Sequence, residues 1–71
     1  MTINDILLNC GSVHAGTTIY IIESGTIKKI CLFKNLESRY ANLQFKFFTV
    51  SSLYIDTDSF ELLAFKFYVG D

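Results

Sequence analysis

Two stretches of the chain alternate in side-chain character with a period of two. In residues 43–55 the odd positions are Leu43, Phe45, Phe47, Thr49, Ser51, Leu53 and Ile55; from residue 63 they are Leu63, Phe65, Phe67 and Val69. Alternate residues of an extended chain share one face, so both stretches are predicted to be strands. Each contains Phe-Lys-Phe followed by an aromatic residue, at 45–48 and 65–68. Little else is shared around the two, so they read as strands of one hairpin rather than copies of a repeated module. Asp56-Thr57-Asp58-Ser59 between them suits Asx-type turns. A three-residue loop, Thr57-Asp58-Ser59, is the simplest connection that keeps the odd faces together, and it sets the predicted register.

Upstream the period changes. Thr2 and Asp5 stand at capping-box spacing, with the acid in the first turn. Ile3, Ile6, Leu7 and Cys10 follow at i, i+3, i+4 and i+7, which predicts a short helix closing near Gly11. GSVHAG (11–16) is a loop. TTIYII (17–22) has strand composition, Ser24-Gly25 is a turn signal, and TIKKICLF (26–33) is the returning strand. A two-residue turn pairs Ile22 with Ile27 and Ile19 with Ile30, whereas a three-residue turn pairs Tyr20 with Ile30; composition leaves both registers open. Asn35 is suited to cap a second short helix carrying Leu36, Tyr40 and Leu43. The order α-β-β-α-β-β predicts one α+β domain over residues 1–71. It consists of a small, four-stranded, mostly antiparallel sheet of two hairpins with one or two short helices.

Composition sharpens this picture. The 71 residues are 51% hydrophobic, with seven Phe and four Tyr, which excludes a disordered chain. No apolar run reaches the roughly 18 residues of a membrane-spanning helix, and MTINDILLNC lacks the basic start of a signal peptide. Cys10 and Cys31 have no metal-like spacing and read as reduced thiols of an intracellular protein. Five cations against Glu37 give residues 24–55 a balance of +4, and residues 56–71 carry four acids against Lys66, a balance of −3.

With the odd residues assigned to the core, the even face carries Lys46, Phe48, Val50, Ser52 and Tyr54 on one strand and Phe60, Leu62, Ala64, Lys66 and Tyr68 on the other. A solvated antiparallel face should be mostly polar. Three readings follow: helices cover both faces, the even face is a protein interface, or its rings stack nucleobases. The interface reading takes Phe48, Tyr54 and Tyr68 as anchors with Lys46 and Lys66 as a charged rim. Nucleic acid is disfavoured because Asp56, Asp58 and Glu61 crowd the hairpin tip.

Catalytic and metal chemistry find no support in the residues. The one histidine, His14, pairs conceivably with Cys10, but no orienting group or oxyanion donor accompanies them. One His and two distant Cys are a poor zinc set. Asp56–Glu61 lacks the glycine and the Glu spacing of a calcium loop, and GSVHAG lacks the Lys-Ser/Thr of a phosphate loop. No enzyme, cofactor or metal is expected.

Thr-Ile-x-Asp-Ile-Leu at residues 2–7, Thr-x-Ile-x-Ile-Ile at 17–22 before a glycine turn, and Leu-Tyr-Ile-Asp at 53–56 before a closing apolar strand resemble short proteins of phages and mobile elements from AT-rich bacteria. That genre includes anti-CRISPR inhibitors. The resemblance implies a cytoplasmic, non-catalytic protein-binding module of a bacterial host that sterically blocks a defence effector, such as a nuclease complex. The alternative expectation is an assembly protein that self-associates as a homodimer through its apolar sheet face.

Overall fold

Thr2 begins the first helix as its spacing predicts. Its Oγ1 accepts from the Asp5 N–H at 3.3 Å, and the Asp5 carboxylate accepts from the Thr2 N–H at 2.8 Å. The capped helix, α1, spans Ile3–Leu8. It ends at Asn9, two residues before Gly11, and the Asn9 amide donates to the Asp5 carbonyl at 2.6 Å. The structure, a computed structural model, describes residues 1–11, 13–55 and 60–70, with side chains for all of these except 52–55 and 60–62.

Strands β1 (Thr18–Glu23) and β2 (Thr26–Leu32) form the first hairpin. Ser24 and Gly25 take φ of 53° and 78°, the pair of positive values that a tight two-residue turn of the mirror-image type requires. Near this turn Ile22 pairs with Ile27; beyond a register shift Tyr20 pairs with Ile30. Both open registers are therefore realised, one on each side of a bulge that leaves Lys28 without an opposite residue.

The chain then enters a 3-10 turn, Phe33–Asn35, before the one-turn helix α2 (Ser38–Ala41), which Glu37 precedes. Asn35 is not its cap. Phe33 N–H donates to the Thr17 carbonyl at 2.8 Å and Lys34 N–H to that of Ala15 at 3.2 Å, so the segment is tied to the 13–17 loop instead.

Strands β3 (Phe47–Ile55) and β4 (Phe60–Val69) form the second hairpin. The sheet order is β2-β1-β4-β3, with β1 and β4 parallel at the centre. The sheet is thus mixed, not purely antiparallel: both hairpins pair antiparallel as expected, and they meet along a parallel pair. The most apolar strands occupy the centre, and the strands carrying Lys28-Lys29 or Thr49–Ser52 take the edges, where burial is least.

One face of the sheet holds the core. Ile3 and Leu7 of α1 lie against Ile19, Ile21, Phe65, Phe67 and Val69. Phe33, Leu36, Tyr40 and Phe45 complete this layer, so both helices pack on the same side and do not divide between the faces.

The second hairpin departs from its predicted register. Phe48 pairs with Phe67 and Ile55 with Phe60, so even residues of β3 share a face with odd residues of β4. The predicted loop Thr57-Asp58-Ser59 lies outside the described residues. Aromatic packing explains the preference. Phe48 joins the core face, with its ring centroid 5.7 Å from Phe45 and 5.6 Å from Phe67. Alternation also breaks at Lys46, where the chain bends, and residues 43–44 turn to α1: Ile3 N–H donates to the Leu43 carbonyl at 3.0 Å, and Thr2 bridges Gln44.

Strand β1 accompanies β4 only from Ala64 to Val69. Residues 52–55 and 60–63 therefore continue beyond the four-stranded sheet as a two-stranded ribbon. The molecule measures 40 × 23 × 18 Å.

Candidate functional site

The face opposite the helices is built in rows. Register aligns Ile27, Ile22, Tyr68 and Phe47 across the four strands, then Ile30, Tyr20, Lys66 and Thr49, then Leu32, Thr18, Ala64 and Ser51. No helix packs on it among the described residues. Ile22 and Ala64 are nonetheless buried. Outer residues stay open: Ile27 is 51% exposed, Ile30 53% and Phe47 55%.

Two internal contacts organise the surface. Phe47 stacks on Tyr68 with ring centroids 4.4 Å apart and planes 13° from parallel. Lys66 Nζ sits over the Tyr20 ring, 5.6 Å from its centroid. The stack anchors β3 to β4, and the cation–π contact holds the lysine down on the sheet. By register Lys66 is the one cation of these rows.

The five residues singled out from the sequence do not form one surface. Lys66 and Tyr68 lie on the open face. Phe48 lies on the opposite face, 37% exposed, in the aromatic cluster of the core layer. Lys46 stands at the bend before β3, exposed, its N–H donating to the Tyr68 carbonyl at 2.8 Å. Tyr54 shares Phe48's parity in β3, and its side chain lies outside the described residues. The correction has two causes: the register of β3 against β4 moves Phe48, and the bend takes Lys46 off the strand. The open face instead recruits Tyr20, Ile27, Ile30, Leu32 and Phe47. A signal for the four residues on β1 and β2 existed in the apolar residues at both parities of 17–33, the mark of strands with two apolar faces.

Elsewhere the polar chemistry is local. His14 Nδ1 accepts from the Gly16 N–H at 3.2 Å and its own N–H donates to Thr17 Oγ1 at 3.1 Å, so the histidine shapes its loop. Thr17 is fully buried and satisfied by these bonds. Cys10 and Cys31 are free and half-buried, and burial pushes the Cys31 thiol above its ordinary pKa. Glu37 meets Lys29 at 3.7 Å and Arg39 at 3.3 Å, exposed pairs of the kind that contribute little to stability. Among the described residues, no group of three His, Cys, Asp or Glu side chains is placed to hold a metal ion, and no enclosed pocket is present. Among the described residues, no helix is long and apolar enough to cross a membrane.

No protein family, curated protein or solved structure matches the chain.

Proposed function

We propose that the chain is a non-catalytic protein-binding module and that the helix-free face of its sheet is the binding surface. One observation carries this reading: apolar side chains on that face, Ile27, Ile30 and Phe47 foremost, are left half-exposed in a domain of only 71 residues. Each such side chain forgoes burial worth on the order of 1 kcal/mol, a cost a small domain bears most easily when a partner recovers it. A platform of rings and aliphatic groups around Lys66 suits a protein surface that is itself apolar and presents a carboxylate to that lysine. Stacking two copies face to face is disfavoured by the same residue, since it would enclose two ammonium groups with no acid between them.

The likeness to short phage and mobile-element proteins makes a bacterial defence effector the partner class, a nuclease complex among the candidates, with steric masking as the mechanism. Affinity capture from bacterial lysate, followed by titration of the purified effector, tests this. Wild type and Leu8→Lys, a change on an exposed position of α1, should bind one-to-one, and Ile30→Lys should weaken the complex about tenfold or more. Equal affinity for wild type and Ile30→Lys would show the surface to be misassigned.

A further inference from the structure

The two edges of the sheet are unlike. Edge strand β2 carries adjacent lysines, Lys28 and Lys29, and a bulge, devices that discourage another strand from pairing with it. Edge strand β3 has none of these. Its nine residues, Phe-Phe-Thr-Val-Ser-Ser-Leu-Tyr-Ile, include no charge, no proline and no glycine. The ladder to β4 runs unbroken from Phe47 to Ile55. A continuous edge about 30 Å long, unpaired among the described residues, therefore offers backbone donors and acceptors that only another extended strand can satisfy along its length.

We infer that β3 pairs antiparallel with β3 of a second copy, about a two-fold axis at Ser51, joining the two sheets into one of eight strands. Geometry restricts the register. Opposite residues in an antiparallel ladder must agree in both face and hydrogen-bonding direction, and these alternate together along a strand. In two identical strands, residues of equal parity must therefore face each other. Centring the pair on Ser51 uses the whole strand: Phe48 falls opposite the partner's Tyr54, Phe47 opposite the partner's Ile55, and Ser51 opposite itself. Apolar positions meet apolar ones at both ends, Ser51 meets itself on the axis, and the pairs between, Thr49 with Leu53 and Val50 with Ser52, each set a small polar residue beside an aliphatic one.

Two further features favour a copy of this chain as the occupant. Lys46 precedes the strand and Asp56 follows it. Antiparallel pairing brings no like charges together at the ends, whereas parallel pairing of two copies would set Lys46 beside Lys46. Among the described residues of its own chain, the ribbon of residues 52–55 and 60–63 also has no third strand. An isolated two-stranded ribbon is marginal in water. In the proposed dimer, residues 52–55 of each copy lie beside residues 47–50 of the other, so each ribbon gains the strand it lacks. The open face of the helix-free side stays accessible, continuous across both copies, and available to a partner whether or not the reading above is right.

Ser51 is exposed, and on the axis a substitution there meets itself. Ser51→Lys and Ser51→Asp should each drive the dimer to monomer by like-charge repulsion, raising its dissociation constant about tenfold or more. An equimolar mixture should restore a dimer containing one chain of each kind. Sedimentation velocity over a dilution series reads all three, with circular dichroism confirming that each variant is folded. A wild type that is monomeric at about 1 mM overturns the proposal, because so weak a dimer would have no standing. A dimer that survives Ser51→Lys, or variants that fail to recombine when mixed, overturns it equally; Ile30→Lys then tests whether that dimer stacks through the open face.

Discussion

Phe67 is fully buried against α1, β1 and the neighbouring rings, whereas Phe47, from the other Phe-Lys-Phe, stands 55% exposed and stacked on Tyr68. The difference lies in which face each reaches, and hence in which energy each supplies. Removing the Phe67 ring leaves a cavity in a close-packed layer, at about 3–5 kcal/mol. That is comparable to the entire stability of many small domains. Removing Phe47 forfeits one stacked pair and little burial, about 1 kcal/mol. Urea unfolding should accordingly show Phe67→Ala unfolded or nearly so, with Phe47→Ala close to wild type in midpoint. Similar midpoints would contradict the assignment of faces. Sequence reasoning could see that these residues lie on strands, because period-two alternation is a local property of the extended backbone. It could not see that Phe45 and Phe47, equal in parity, part company at the bend on Lys46. That bend follows residues 43–44, which are tied to Thr2 and Ile3 about forty residues earlier in the chain.

At the scale of elements, local rules succeeded where the deciding contacts lie within a few residues. The capping box of α1 and the Ser24-Gly25 turn are of this kind. The bulge in β2 is intermediate: two registers were legible, and their coexistence needed the sheet. The order of strands was not legible, since the parallel pairing of β1 with β4 joins residues over forty positions apart. The α1 cap yields a pH prediction. Hydrogen bonds from the Thr2 backbone N–H and then its side chain hold the Asp5 carboxyl below its ordinary pKa. Folded, the group therefore binds its proton less readily than it does unfolded. Its stabilising effect is present at neutral pH and is lost as pH falls below about 4, through the ordinary carboxylate range and the lower folded value. Asp5→Asn should lower the thermal midpoint more at pH 7 than near pH 2.5, because protonation progressively removes the charge that the cap favours. Equal losses at the two pH values would show that charge at this helix start contributes nothing.

For the whole molecule, the open face raises a choice between protein and nucleic acid, because aromatic rings on an exposed sheet also suit stacked bases. The sequence reached this choice with partly wrong residues: Lys66 and Tyr68 belong to the face, Phe48 does not, and Tyr20 and Phe47 were missed. The reading proposed above takes protein. Phe47 and Tyr68 spend one ring face each on the other, and Lys66 is engaged over Tyr20. By register no second cation joins it in the rows. Lys29 turns to Glu37 on the helical side. Nucleic-acid affinity rests on several phosphate contacts acting together, each releasing a counterion, and one lysine supplies about one such contact. At about 150 mM salt the screening length is about 8 Å, so cations elsewhere on the molecule add little to this face. Titrating labelled single- and double-stranded oligonucleotides by fluorescence anisotropy should therefore give no measurable binding at that salt. Micromolar or tighter binding that collapses steeply with added salt would displace the protein-partner reading and make Tyr20, Tyr68 and Phe47 a base-stacking platform.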